Sequence, residues 1–203
     1  MNARMMLCSF LLLVVPAVPR VAAAAPAFDV LVRGGTVFDG RGGPPFVADV
    51  GIRGDRIVAI GALAGKEAAT VIEAGGLAVA PGFINMLSWS NESLIQGGRS
   101  QGGIRQGVTL EVLGEGTSMG PLNADMKRRL RAGQTFGRYE VEWTSLAEYL
   151  RFLEGRGIST NVASFIGAAT VRTHVLGLAD VQPTPAQLEQ MRELVRREME
   201  EGA

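Results

Sequence analysis

A long stretch near the start of the chain alternates apolar and polar residues in short runs that glycines separate. The first run covers residues 28–33 and ends at the glycine pair 34–35. Gly-Gly and Gly-Asp pairs between runs rich in β-forming residues are typical of two-residue hairpin turns, and such pairs recur at 54–55 and 75–76. The pattern therefore predicts a small antiparallel β layer that forms a domain over residues 25–80.

The pattern changes at Pro81, where apolar strands begin to alternate with amphipathic helices. Alternation of this kind indicates βαβ units and a parallel sheet. A Ser or Thr before each of the two longest helices is typical of a helix start, with a glutamate three residues after Ser145 and a proline directly after Thr184. The predicted strands are 82–87, 109–114 and 161–166, and the predicted helices are 100–106, 123–132, 145–154, ended by Gly155, and 184–201, ended by Gly202.

Together the two patterns predict an α/β fold class, with a small antiparallel β layer followed by a partial (β/α) domain over residues 81–203. Three parallel strands cannot close a barrel, because the closed form needs eight. We therefore expect residues 81–203 to be the first three βα units of an incomplete TIM-type barrel. The chain would then be the N-terminal fragment of a longer protein.

The first residues of the chain have the pattern of an export signal. Arg4 precedes an apolar run over residues 5–18, and small residues follow at 22–25. A basic start, an apolar middle and a small-residue end are the three parts of a secretory signal peptide, and the run is shorter than the ~20 residues of a membrane-spanning helix. Residues 1–24 are therefore predicted to be a signal peptide, and the mature protein to be periplasmic or secreted without a membrane anchor.

The composition of the chain limits which ligands and metal sites are possible. Lys plus Arg and Asp plus Glu are 20 each, so the chain has none of the basic excess that nucleic-acid binding requires. His174 is the single histidine and Cys8 the single cysteine. Catalytic zinc sites use about three protein ligands and structural ones about four, so imidazole and thiolate alone cannot form either in this chain.

Several segments of the chain resemble the opening of the amidohydrolase superfamily. They are Asp29 to Gly40 (DVLVRGGTVFDG), Gly51 to Gly61 (GIRGDRIVAIG), Ala80 to Ile84 (APGFI) and Gln106 to Thr109 (QGVT). Residues 167–172 (GAATVR) and the segment 183–203 are similar more specifically to the N-acyl-D-amino-acid deacylase (D-aminoacylase) branch. The resemblance covers about residues 28–203.

The resemblance implies a metal-dependent hydrolase, with zinc as the expected ion, that acts on the amide bond of a small N-acyl amino acid. The Asp-x-His-x-His motif of the family's first strand corresponds here to residues 85–89, where Leu87 and Trp89 replace the two histidines. Gly116 stands at the position of the family's metal-binding cysteine, and 167–169 read Gly-Ala-Ala where the family has Gly-His-Gly. We therefore predict no metal ligand in this segment.

Glu115 is our candidate catalytic residue, since a carboxylate at the end of a barrel strand can serve as a general base or ligand. Ser88 and Ser90 are predicted to bind substrate and to lie near Glu115, and Trp89 to contact an acyl chain. Each has a structural alternative: a solvated loop for Glu115, helix capping for the serines and packing for Trp89. Glu111 is expected to be a paired core carboxylate.

Two functions remain open from the sequence. The first is an exported deacylase-like hydrolase of linear amides, whose other ligands lie outside these 203 residues, so that this fragment alone is inactive. The second is a degenerate amidohydrolase barrel that binds a small ligand without hydrolysing it, because Leu87, Trp89 and Gly116 replace ligands.

Overall fold

The computed structural model describes residues 26–134 and 137–203. The chain divides into two compact units, one that ends at Ala80 and one from Pro81 to Ala203. Among the described residues no helix is both long and apolar enough to cross a membrane. The predicted signal peptide, residues 1–24, lies outside the described residues.

The first unit is a five-stranded sheet in which β1 is the central strand. β1 pairs antiparallel with β2, and β2 pairs antiparallel with β3, whereas β4 and β5 both pair parallel with β1. The antiparallel layer expected from the sequence is therefore wrong for two strands, and the sheet is mixed. The strands are β1 (Phe28–Val37), β2 (Phe46–Arg53), β3 (Arg56–Gly61), β4 (Ala68–Glu73) and β5 (Ala78–Val79).

The sheet differs from the prediction because two of the three glycine-containing pairs do not form hairpins. Residues 34–35 lie within β1 as a bulge, and the Asp49 carboxylate on β2 accepts a hydrogen bond from the Gly34 N–H at 2.8 Å. Residues 75–76 join β4 to β5, which follow one another along the same edge of β1. Only the pair 54–55 forms the predicted tight turn, between the antiparallel strands β2 and β3.

The second unit contains a three-stranded parallel sheet in the order β6-β7-β8, with helices in the connections. The prediction of parallel pairing is confirmed. β6 and β8 are shorter than predicted, because a bend follows Asn85 and α5 begins four residues after Ser164, whereas β7 has the predicted length, shifted by one residue. Its elements are β6 (Phe83–Asn85), α1 (Asn91–Gln96), α2 (Gln101–Ile104), β7 (Val108–Leu113), α3 (Ala124–Ala132), α4 (Leu146–Arg156), β8 (Asn161–Ser164), α5 (Ala168–Leu176) and α6 (Pro185–Glu200).

The core of the second unit forms around α4. Tyr149 and Leu146 of α4 are 0% and 1% exposed, and Trp143 packs on Tyr149 with ring centroids 5.2 Å apart. The capping box predicted from Ser145 and Glu148 is present. The predicted stop at Gly155 is wrong, because the helix continues to Arg156 and ends at Gly157, whose φ of 73° lies in the left-handed region.

The last helix, α6, docks on α4 through an acidic side chain. Glu198 is 3% exposed, and its carboxylate accepts a hydrogen bond from the Leu146 N–H at 2.6 Å. That N–H belongs to the first turn of α4, where helices have unpaired donors. The apolar stripe predicted for α6 is only partly buried: Leu194 is covered, but Leu188 and Met199 are exposed.

The position of Glu198 predicts a pH dependence. Burial raises the pKa of its carboxyl above the ordinary value of 4.5, and the Leu146 N–H opposes this. A folded-state pKa above the unfolded value means that stability is lost as the pH rises from about 4.5 through the folded-state pKa. We expect Glu198→Gln to remove this loss while keeping an acceptor for Leu146. The measurement is urea unfolding from pH 4 to 8, and identical pH profiles for both proteins would contradict the assignment.

Candidate functional site at the carboxyl ends of the parallel strands

The segment that follows β6 places neighbouring side chains on opposite sides. Ser88 is 6% exposed, while Leu87 and Trp89 are 53% and 71% exposed. The Ser88 N–H donates to the Val112 carbonyl at 2.9 Å, which holds this segment beside β7. Leu87 and Trp89, which replace the family's two histidines, therefore share one exposed side, and Ser88 points to the interior.

Ser88 belongs to a buried polar cluster with Glu111 and Ser90. The Ser88 hydroxyl donates to the Glu111 carboxylate at 2.5 Å and lies 3.0 Å from the Ser90 hydroxyl. Glu111 is 5% exposed. On a strand, residues two apart share a face, so Glu111 lies on the same side of β7 as Leu113, which belongs to the core around α4. This arrangement agrees with the expectation of a paired core carboxylate.

Glu115 is not part of this buried cluster. It follows β7 in a bend between Gly114 and Gly116, and its side chain is exposed. Glu111 is the carboxylate that contacts Ser88, at 2.5 Å. The catalytic role of Glu115 and the substrate-binding roles of Ser88 and Ser90 stay predictions.

The loop after β7 is joined to the start of α5 by a hydrogen-bond network that sequence reasoning missed. Ser118 is its centre: its N–H donates to the Thr170 hydroxyl at 2.7 Å, and its hydroxyl accepts from the Gly167 N–H at 2.9 Å. The Ala169 N–H donates to the Gly116 carbonyl at 2.9 Å. The partners are about fifty residues apart in the chain, so no local sequence pattern signals the network.

A cavity of about 530 Å³ opens beside this network, between the segment after β6, the loop after β7, α3 and α5. We call it the Asn91 cavity. Its charged lining side chains are Glu92 and Arg129, and the Asn91 amide oxygen is buried without a hydrogen-bond partner among the described residues. Its apolar lining is Trp89, Met119, Leu122, Met126, Leu130 and Ala169. The sequence pattern indicates Trp89 as a candidate, but it indicates neither the cavity nor its α3 wall.

His174 lies outside the Asn91 cavity. It sits on α5 and lines a separate cavity with Glu189, Glu193 and Arg197 of α6. Burial lowers the pKa of its imidazole, and the nearby Arg197 charge lowers it further. The neutral imidazole is therefore favoured at pH 7, and His174 is not among the residues that line the Asn91 cavity.

Comparison with known proteins identifies relatives for almost all of the described chain. No protein-family model matches it. The D-aminoacylase of Alcaligenes xylosoxydans xylosoxydans is 36% identical over 178 residues, which are 87% of this chain and 36% of that enzyme. A solved D-aminoacylase structure with a binuclear metal centre superposes with a TM-score of 0.75 at 31% identity, over 87% of this chain and 37% of that one.

The chain is similar in sequence and in structure to the N-acyl-D-amino-acid deacylases. A second solved structure, the N-acyl-D-glutamate deacylase of Bordetella bronchiseptica with zinc and a phosphonate inhibitor, has a TM-score of 0.74 at 28% identity, over 85% of this chain and 36% of that one. D-aminoacylase has been described as defining a subset of the amidohydrolases, so the resemblance found in the sequence is confirmed. The chain spans about a third of the length of these relatives.

The relatives hold metal ions, and the residues described here do not fit one. Among residues 26–134 and 137–203 no group of three or more His, Cys, Asp and Glu side chains could coordinate a cation. Leu87 and Trp89 carry no donor atom suited to zinc. The nearest buried carboxylate, Glu111, is engaged by the Ser88 hydroxyl on the core side of β7. The described residues by themselves therefore form no three-ligand metal site.

Proposed function

We propose that the protein is a deacylase-like amidohydrolase that cleaves the linear C–N amide bond of N-acyl amino acids. The observation that carries the proposal is the match to D-aminoacylase over 87% of the chain. In this chain the Asn91 cavity opens beside the carboxyl ends of the parallel strands. We also propose that β6, β7 and β8 belong to a TIM-type barrel, and that the protein works in the periplasm or is secreted.

Within this proposal Glu115 is the general base. It lies past the carboxyl end of a parallel strand, the end at which barrel enzymes carry their catalytic residues. Its exposed carboxylate is free to reach a water molecule, unlike that of Glu111, which is buried and hydrogen-bonded. Trp89 offers an exposed aromatic face on the same side of the unit as the cavity, suited to an acyl chain.

The second candidate is a barrel that binds N-acyl compounds without hydrolysis. A specific observation favours it: the positions that match the family's ligands hold Leu87, Trp89 and Gly116, and the described residues hold no alternative metal group. An activity assay separates the two functions. The protein, expressed with any sequence that follows residue 203, is incubated with N-acetyl-D-amino acids, and free D-amino acid and bound metal are measured. Tight substrate binding with neither turnover nor metal would support the binding protein and reject the hydrolase.

Glu115→Gln tests the general base. A glutamine cannot accept a proton, so we expect turnover of an N-acetyl-D-amino acid to fall at least about 10²-fold, the low end for a general acid–base group. Glu142→Gln is the control, because Glu142 is also exposed but precedes α4. If both variants keep wild-type kinetics, Glu115 is a solvated loop residue.

A further inference from the structure

The loop after β7, which carries Glu115, is attached to the next βα unit, β8 and α5, by hydrogen bonds and by close backbone packing. We propose that Thr170 of α5 is a positioning residue: through Ser118 it holds this loop so that the Glu115 carboxylate stays where it can act on the substrate. This inference rests on the proposed function and adds to it the residues that act through Glu115.

The Thr170 hydroxyl is hydrogen-bonded to both backbone groups of Ser118. It accepts from the Ser118 N–H at 2.7 Å and donates to the Ser118 carbonyl at 3.3 Å. Thr170 is 4% exposed and Ser118 is 8% exposed, so both bonds are shielded from water. A valine at position 170 has nearly the same shape but makes neither bond, so it would detach the loop from α5 at this point.

The Ser118 side chain and the start of α5 add three further bonds. The Ser118 hydroxyl accepts from the Gly167 N–H at 2.9 Å and donates to the Gly120 carbonyl at 2.5 Å. The Ala169 N–H donates to the Gly116 carbonyl at 2.9 Å. Ala169 lies in the first turn of α5, where an N–H has no partner within the helix. The loop therefore supplies the acceptor that this N–H needs.

The backbone on both sides of Glu115 has no room to shift toward its neighbours. A Cβ on Gly167 would lie 2.6 Å from the Gly116 carbonyl oxygen, and a Cβ on Gly114 would lie 2.1 Å from the Phe165 carbonyl oxygen. Glu115 stands between these two contacts, and only its side chain is free in solvent. A displacement of about 1 Å at a catalytic group can lower a rate about 10²-fold, so the attachment matters for catalysis.

Thr170→Val tests the positioning role. We expect kcat for deacylation of N-acetyl-D-alanine to fall at least about tenfold with KM unchanged, because the variant moves the base without removing a substrate contact. Thr170→Ser keeps the hydroxyl and should restore kcat. Thr170 also lines the Asn91 cavity, so a rise in KM with kcat unchanged would show a direct substrate contact and overturn the proposal. The protein is expressed with any sequence that follows residue 203.

Thr160→Val is the matched control. Thr160 is also a buried threonine, 3% exposed, but its hydroxyl has no hydrogen-bond partner in the part of the chain that the structure describes. It precedes β8, at the end of the strand opposite to the loop. We therefore expect Thr160→Val to keep the wild-type kcat and KM. An equal fall in kcat for Thr160→Val and Thr170→Val would show a general effect of the lost hydroxyl and overturn the assignment.

The Glu115→Gln background separates positioning from a general loss of structure. If Thr170 acts through Glu115, Thr170→Val should cause no further fall in kcat once Glu115 is already glutamine. If Thr170 only stabilises the fold, Thr170→Val should lower kcat by the same factor in both backgrounds. That second result would overturn the positioning role.

Amide hydrogen exchange tests the attachment without any turnover. NMR of the same protein should show the Ser118 amide exchanging at least about tenfold faster in Thr170→Val, and at the wild-type rate in Thr160→Val. An unchanged Ser118 rate in Thr170→Val would overturn the inference even if deacylation is observed. If the wild-type protein releases no D-alanine, the hydrolase is rejected, and the positioning role is rejected with it whatever the exchange rates are.

Discussion

Replacing Tyr149 with alanine is expected to lower the free energy of unfolding by about 3–5 kcal/mol, the range for removing a large buried side chain. Tyr149 is 0% exposed and packs on Trp143 in the centre of the second unit. Its loss leaves a cavity in a packed core and also removes the hydrogen bond from the Tyr149 hydroxyl to the Asn91 carbonyl. Urea unfolding monitored by tryptophan fluorescence measures the change.

Tyr149→Phe separates packing from hydrogen bonding. Phenylalanine keeps the ring, so only the hydrogen bond to the Asn91 carbonyl is lost, and we expect a cost of about 0.5–1.5 kcal/mol, the net contribution of one hydrogen bond. A Tyr149→Phe effect as large as that of Tyr149→Ala would contradict our description of the core. If neither variant changed the free energy of unfolding, α4 would not be at the centre of the core of this unit.

Gly114→Ala is expected to be the most damaging single-methyl change in the second unit, with a loss of at least about 3 kcal/mol of unfolding free energy. Gly114 follows β7 with a φ of +85°, a conformation that costs an alanine about 1–2 kcal/mol. An added Cβ would lie 2.1 Å from the Phe165 carbonyl oxygen at the end of β8. Backbone cannot move away as a flexible side chain can, so the two strand ends would have to separate.

Gly116→Ala is the matched control for this prediction. Gly116 has a similar φ of +74°, but a Cβ built there meets nothing within 4 Å. We therefore expect Gly116→Ala to cost only the conformational part, about 1–2 kcal/mol. Thermal and urea unfolding of both variants give the comparison, and equal losses would show that the contact with β8 is not what requires Gly114.

The glycines on either side of Glu115 show which structural features a local sequence pattern can predict and which it cannot. The predicted strand 109–114 ends at Gly114, and a bend follows it in the structure. The structure shows that Gly114 is required by the close approach of β8. A residue fifty positions away supplies that constraint, and no local pattern contains it.

The hydrogen bond between Ser88 and Glu111 is a second feature that no local sequence pattern predicts. Ser88 and Glu111 are both polar residues near strand ends, and sequence reasoning treated Ser88 as a substrate contact and Glu111 as a core residue. The structure joins them in one buried hydrogen bond, because Ser88 points to the same side as Glu111. The Asn91 cavity was not predicted at all, since its walls come from four separate segments.

Local interactions explain what was predictable from residue order. The tight turn at 54–55, the capping box at Ser145 and the helix start at Thr184-Pro185 each depend on contacts within a few residues, so their patterns are visible in the chain. The family resemblance rests on equally local motifs. Which elements pack against each other is not visible in any local pattern. β4 and β5 share one edge of β1, and Asn91, Tyr149 and α3 lie close together, only because distant segments pack against each other. Packing energy between distant segments decides these arrangements, and it depends on the whole fold rather than on any single stretch of sequence.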